Sequence, residues 1–308
     1  MPFNQGSRTG ISYVVESTYG VTPATPSLLQ LPVLSSDIEV TKQTYDSADI
    51  LPDRQLRLHR HGTRSVAGKL EVDLRKGVYD DFLESALYST WATNVLKIGT
   101  TQKSFSVEEA SEDISQFRLF TGLVVNQMSM DVRPNQNVKT TFDMVGKDVT
   151  VAATSVDAIK TPATANQPHD SFSGFIKLSN AGVAGTAVTS ITAMNFMVNN
   201  DVSQTFTVGS LTTPQLEYGR ASVTGEITAY FEDSTLLNRF LSETETALEL
   251  QIGSPTATSS YNFLFPRVKF DGAAVPLNTL KSRTITIPFV ALYDTTEATV
   301  LKITRNLA

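Results

Sequence analysis

The sequence predicts a mainly β protein. It reads as two tandem β-sandwich or barrel domains, each flanked by a short α-helix, with long loops and connecting arms. Three observations lead there. First, HGTRSVAGKLEVDLRKGVYDDFL at 61–83 is echoed by YGRASVTGEITAYFEDSTLLNRFL at 218–241. Gly62, Ser65, Val66 and Gly68 correspond to Gly219, Ser222, Val223 and Gly225 at one constant offset, the mark of an internal repeat. Second, apolar and polar residues alternate with period two over many short segments, as in strands with one face in a core. Third, helical periodicity is confined to two short stretches.

Taken in chain order, MPFNQGSRTGISYVVESTYG lacks the apolar run of a signal peptide, so export is not expected. In VAGKLEVDL, Val66, Leu70, Val72 and Leu74 share one face, and Lys69, Glu71, Asp73 and Arg75 the other. GVYDDFLESALYS follows, with Val78, Phe82, Leu83, Ala86 and Leu87 on one helical stripe. MSMDV and VKTTFDMVGKD read as two further strands, the second ending in a polar turn. The Ala-, Thr- and Pro-rich stretch 151–172 reads as a linker or extended arm between domains at 1–150 and 173–308. The second helix, STLLNRFLS, carries Leu236, Leu237, Phe240 and Leu241, with Ser234 as the expected N-cap. In TITIPFV, Pro288 removes a ladder donor and predicts an edge strand or a bulge.

Composition excludes several functions. With 41% hydrophobic and 18% charged residues the chain is globular, and no apolar run approaches a membrane span. Cysteine is absent, which removes disulfides, thiolate metal sites and Cys nucleophiles. The net charge of −6 is shared evenly between the halves, so neither offers the basic surface that grips nucleic acid. His59 and His61 have the spacing of two ligands, but no third ligand type clusters with them. Asp80 and Asp81, beside the first helix stripe, read as exposed charge. No phosphate loop, H-E-x-x-H or G-x-S-x-G is present, so neither an enzyme nor a cofactor is expected. One basic cluster stands apart: RQLRLHRHGTR places Arg54, Arg57, Arg60 and Arg64 within eleven residues. In an acidic half it reads as a subunit-interface loop ahead of a solvated loop or a DNA contact.

Three segments together resemble the major tail tube proteins of long-tailed, siphovirus-type bacteriophages, in a two-domain form. They are SYVVESTYGVTPATP, GTRSVAGKLEVDL with YDDFLESAL, and FTGLVVNQMSMDVRPNQNVKTTFDMVGKD. The resemblance covers most of residues 10–150, with 173–308 as a weaker copy. It implies a small β-sandwich with a flanking helix, and arms that reach neighbouring subunits. Six such domains per ring would stack into a virion tail tube that conducts double-stranded DNA. A two-domain chain implies trimers with pseudo-sixfold symmetry, assembled in the bacterial host cytoplasm. Its expected partners are further copies of itself, a tape measure protein, and terminator and tip proteins; membrane insertion is not expected. A tail-tip adhesin or the tube protein of a contractile injection system are the alternatives. A lumen should not hold DNA, which makes Glu71, Asp73, Asp131 and Glu226, on polar strand faces, the candidates to line it.

Overall fold

The computed structural model describes residues 3–53, 55–183, 185–254, 259–277 and 282–306. Strands dominate. The first half holds β1 (Thr9–Val15), β2 (Leu29–Leu31), β3 (Ser35–Ser36), β4 (Glu39–Asp46), β5 (His59–Asp73), α1 (Asp80–Leu87), β6 (Val95–Lys97), β7 (Phe105–Ser111), β8 (Gln116–Val132), β9 (Lys139–Gly146) and β10 (Asp148–Ala152). The second holds β11 (Phe175–Asn180), β12 (Thr186–Ala187), β13 (Ile191–Asn199), β14 (Val202–Gln204), β15 (Leu216–Tyr218), β16 (Ser222–Tyr230), α2 (Thr235–Leu241), β17 (Thr246–Ile252), β18 (Ser260–Phe270), β19 (Thr284–Ala291) and β20 (Lys302–Asn306).

The pairings occur twice in one pattern. In the first half one sheet runs β2–β1–β7–β8–β10 and the other β4–β5–β9–β8. In the second half the same orders recur as β12–β11–β17–β18–β20 and β13–β16–β19–β18. A long strand, β8 or β18, belongs to both sheets of its half. The repeated glycines serve close strand approach: a Cβ at Gly68 would collide with the Ile38 backbone, and one at Gly225 with the Asn195 carbonyl.

The alternation read in the sequence is the burial pattern. Val66, Leu70, Val72 and Leu74 are fully buried, as are Phe82, Leu83, Ala86 and Leu87 on α1. On α2, Leu236, Leu237 and Phe240 only half-bury, and Leu241 is exposed. Ser234 makes no side-chain cap; the Thr235 N–H donates to Asp233 Oδ1 (2.7 Å) instead. Pro288 lies inside the sheet, between β16 and the end of β18, rather than at an edge. Its carbonyl accepts from Asp271 N just past the last β18 residue, so its missing donor meets no strand.

The halves are joined strand to strand at two places. β8 pairs with β13, making one eight-strand sheet in the order β4–β5–β9–β8–β13–β16–β19–β18. β6 pairs with β20. Asp80 is not exposed charge: it ion-pairs with Arg305 and accepts Tyr261 Oη–H (2.6 Å), while Arg305 lies 4.2 Å from the Trp91 ring centroid. Asp81 accepts from Tyr13 Oη (3.0 Å) and Lys103 Nζ (2.9 Å). The chain at 153–170 lies against the first half rather than spanning open solvent. Fully buried Glu108 accepts from Ser155 Oγ, Val156 N and Lys160 Nζ, and Asp157 accepts from Leu28 N.

Glu16 anchors the ESTYG stretch of the SYVVESTYGVTPATP segment. Its buried carboxylate accepts from Gly20 N (2.7 Å), Ser104 Oγ (2.7 Å), Ser106 Oγ (2.7 Å) and Gly122 N (2.8 Å). Gly20 and Gly122 both hold positive φ, so one carboxylate fixes the first turn to the bend of β8. Glu16→Ala strands four buried donors and should lower stability by about 3 kcal/mol in urea denaturation, with Glu16→Gln losing less.

His169 closes the connecting segment. Its backbone bonds Leu74 and Val138, its ring meets Tyr261 edge-on at 5.6 Å, and its Nε2 is buried without a partner. Burial holds the imidazole below its ordinary pKa of 6.5, against the opposing pull of Asp170. The folded chain therefore binds fewer protons than the unfolded one as pH drops through that value. Stability is full above it and declines below it. The drop in urea midpoint between about pH 7.5 and 5.5 should be smaller in His169→Gln than in the unaltered chain.

Candidate functional site

One face of the eight-strand sheet packs in the core, and the other is polar. Directly paired residues on neighbouring strands share a face, so the register follows side chains across the sheet. Asp73 opposes Lys139, Lys139 opposes Asp131, Asp131 opposes Asn195, Asn195 opposes Glu226, and Glu226 opposes Pro288. That row spans about 24 Å at the usual strand spacing. In the adjacent row, Glu71 opposes Thr141, followed by Ser129, Met197, Thr224 and Val290. The four carboxylates nominated from the sequence thus lie on one face, three of them in a single row crossing both halves.

Their surroundings differ. Asp131 pairs with Arg133 at 2.9 Å, Asp73 accepts from Asn137 Nδ2 at 2.9 Å, and Glu71 accepts from Ser35 Oγ at 3.0 Å. The Glu226 side chain makes no hydrogen bond or ion pair among the described residues. The sequence reading missed Lys139, which stands between Asp73 and Asp131 and offsets part of their charge. The alternation in VKTTFDMVGKD carries the signal that would have found it. The face also holds a shallow hollow of about 470 Å3 lined by Glu71, Asp131, Arg133, Lys139 and Asn195.

The arginine cluster is part loop and part strand: Arg57 precedes β5, and Arg60 and Arg64 lie on it. β5 begins at His59, and only its residues 66–73 pair with β9; the rest pairs with β4, with Arg64 N at the base also donating to the Leu211 carbonyl (2.9 Å), so the two strands project beyond it as an exposed hairpin. Such an arm has no core, and cross-strand contacts must hold it: His59 Nδ1 lies 2.6 Å from Asp46. Arg57 pairs with Asp53 at 2.5 Å, and Arg60 has no ion pair among the described residues. Arg64 reaches Asp148 at 2.9 Å, at the base of the arm. Arg54 lies outside the described residues. Ile50, Leu56 and Leu58 near the tip are 100%, 61% and 64% exposed, which is unusual for so much apolar surface in one segment.

No chemistry gathers elsewhere. Among the described residues no group of three or more His, Asp or Glu could hold a metal ion. His169 lies apart from His59 and His61, packed against Tyr261. A sheet shared by two repeats, a polar face and a projecting arm are features of a surface that assembles. A family description, phage tail tube protein, matches residues 6–291. The chain belongs to that family. Comparison with curated proteins returns no significant match. Membership in the phage tail tube family points to a structural role in a virion tail, through self-assembly rather than catalysis. No helix among the described residues is long and apolar enough to cross a membrane.

The exposed arm separates folding from assembly. Arg57→Ala with Arg60→Ala should leave unfolding free energy within about 0.5 kcal/mol of the unaltered chain. Arg64→Ala, at the half-buried pair with Asp148, should cost about 1 kcal/mol in the same denaturation assay.

Proposed function

We propose that this tail tube protein is the repeating subunit of a long-tailed phage tube, assembling in the host cytoplasm as trimeric rings with pseudo-sixfold symmetry. The pairing of β8 with β13 carries the reading. In the second half β13 occupies the position that β4 occupies in the first, bonded to the repeated strand β16 or β5. β13 covers the edge of β8 at residues 127–132, whereas β4 has an open edge. The counterpart of that β8 edge in the second half is the chain at 272–277, held to β19 through the Ala274–Thr286 bridge.

An open edge on one end and an uncovered acceptor on the other are the two faces of a heterologous contact, which closes into a ring when the rotation permits. The same geometry that joins two repeats within a chain would join chain to chain. Three chains would then supply six repeats. Closure would turn the polar row through Asp131, Asn195 and Glu226 toward the axis, because the opposite face is already packed in the core. Carboxylates there would repel passing phosphates over about 10 Å at moderate salt. Genome conduction, a tape measure protein within the lumen, and terminator and tip proteins at the ends complete the reading. The projecting arginine arm would contact an adjacent subunit.

Electron microscopy of the purified, assembled protein tests this. The expected image is a ring of three chains with a sixfold pseudo-repeat, with Asp131 and Glu226 facing the axis. Six chains per ring, or a lumen of net positive charge, would overturn the arrangement.

A further inference from the structure

The second half sends its own excursion onto the first. Residues 200–221, between β13 and β16, stand in the chain position of 42–64, the projecting arm with its turn, since the Thr41–Ser65 and Asn199–Ser222 pairs bound them equivalently. They dock on the end of α1, the middle of β8 and the end of β9. Asn200 Nδ2 donates to the Ala86 carbonyl (3.0 Å), Val202 N to Asn126 Oδ1 (2.8 Å), and Gln204 Nε2 to the Gly146 carbonyl (2.7 Å). Leu216 is buried against Tyr88 and Val124, and the Tyr88 and Tyr218 rings lie 4.9 Å apart.

The second half carries a counterpart of that acceptor, and no segment among the described residues covers it. By the shared register, Lys269 and Val290 correspond to Val124 and Val145, since each pair faces across the equivalent strands. The end of α2 is the counterpart of the end of α1: a left-handed residue follows each helix, Tyr88 directly after α1 and Glu243 two residues after Leu241. Leu241 is 67% exposed there, Tyr293 is 55% exposed, and the Glu243 side chain is 83% exposed.

We propose that the arginine arm of one copy docks on this α2–β18–β19 surface of a second copy, as residues 200–221 dock on the first half within each chain. Charge favours that occupant. The acceptor presents three carboxylates, Glu243, Glu245 and Asp294, against two cations, Lys269 and Arg267, which pair with the first two; it stays net acidic, and the arm brings Arg57 and Arg60. Apolar surface matches too: Leu56 and Leu58 of the arm are exposed, as are Leu241 and Tyr293 of the acceptor. The contact rests on the ring-forming reading and adds to it a second, separate contact between copies.

The absence of native cysteine permits a clean test. Two double variants, Leu58→Cys with Leu241→Cys and Leu56→Cys with Tyr293→Cys, change only exposed residues. Assembled and oxidised, at least one should give a ladder of disulfide-linked chains on a non-reducing gel. Each single-cysteine variant should stay monomeric on that gel. Adding Arg60→Glu should lower the linked fraction at least about five-fold, since each tenfold in an equilibrium is only about 1.4 kcal/mol. Rings by microscopy with no ladder from either pair would overturn the docking while leaving ring formation intact. Failure of the unaltered protein to form rings would instead overturn the ring reading, and this contact with it.

Discussion

Everything in this molecule depends on how one strand edge is covered. An edge presents a row of unpaired N–H and C=O groups that must find partners or water. β8 has such an edge at residues 127–132, and β13 covers it. That single pairing turns two four-strand sheets into one sheet, merges their apolar faces into one core, and makes their polar faces continuous. The β6–β20 pairing and the Asp80–Arg305 ion pair then tie β6 and α1 of the first half to β20 of the second. A tail tube subunit needs this kind of joint, because the geometry within the chain is also a rule for what the next chain would do.

Buried carboxylates do the fine placement. Glu16 and Glu108 are each enclosed by hydrogen-bond donors, Glu16 by N–H groups and hydroxyls and Glu108 by a lysine as well. Desolvated carboxylates are costly unless every lone pair is met, so each of them admits only one path for the chain segments around it. Glu16 ties the first turn to the bend in β8, and Glu108 ties the 153–160 segment to β7. The connecting segments are therefore bound within the chain. The arginine arm projects, with its exposed leucines and with Arg60, which has no ion pair among the described residues.

Much of this was legible as local pattern. The repeat predicted strand–helix units, and both appear with matching pairings. Period two in VAGKLEVDL separated Leu70 and Val72 from Glu71 and Asp73 correctly, because strand faces alternate whatever the strand pairs with. The α1 stripe is buried as read. The α2 stripe is not, because less of the second half packs over it. Ser234 failed as a cap because neighbouring Asp233 supplies the acceptor. Asp80 looked like surface charge, since its partner Arg305 is 225 positions away in sequence. Pro288 suggested an edge, but the strand beside it ends before its missing donor would matter.

By itself the sequence determined which residues form strands, which face of each is apolar, and that the unit is written twice. Those properties are short-range: they depend on backbone periodicity and side-chain type within a few residues. Only the tertiary structure decided that β13 lies on β8, that Asp73, Asp131 and Glu226 share one row, and that Arg60 stands on a projecting strand. Strand register and the choice of neighbouring strand depend on contacts between residues far apart in the chain, where period two leaves many alignments open. The chain resolves them through its joint and its buried carboxylates, which no local pattern announces.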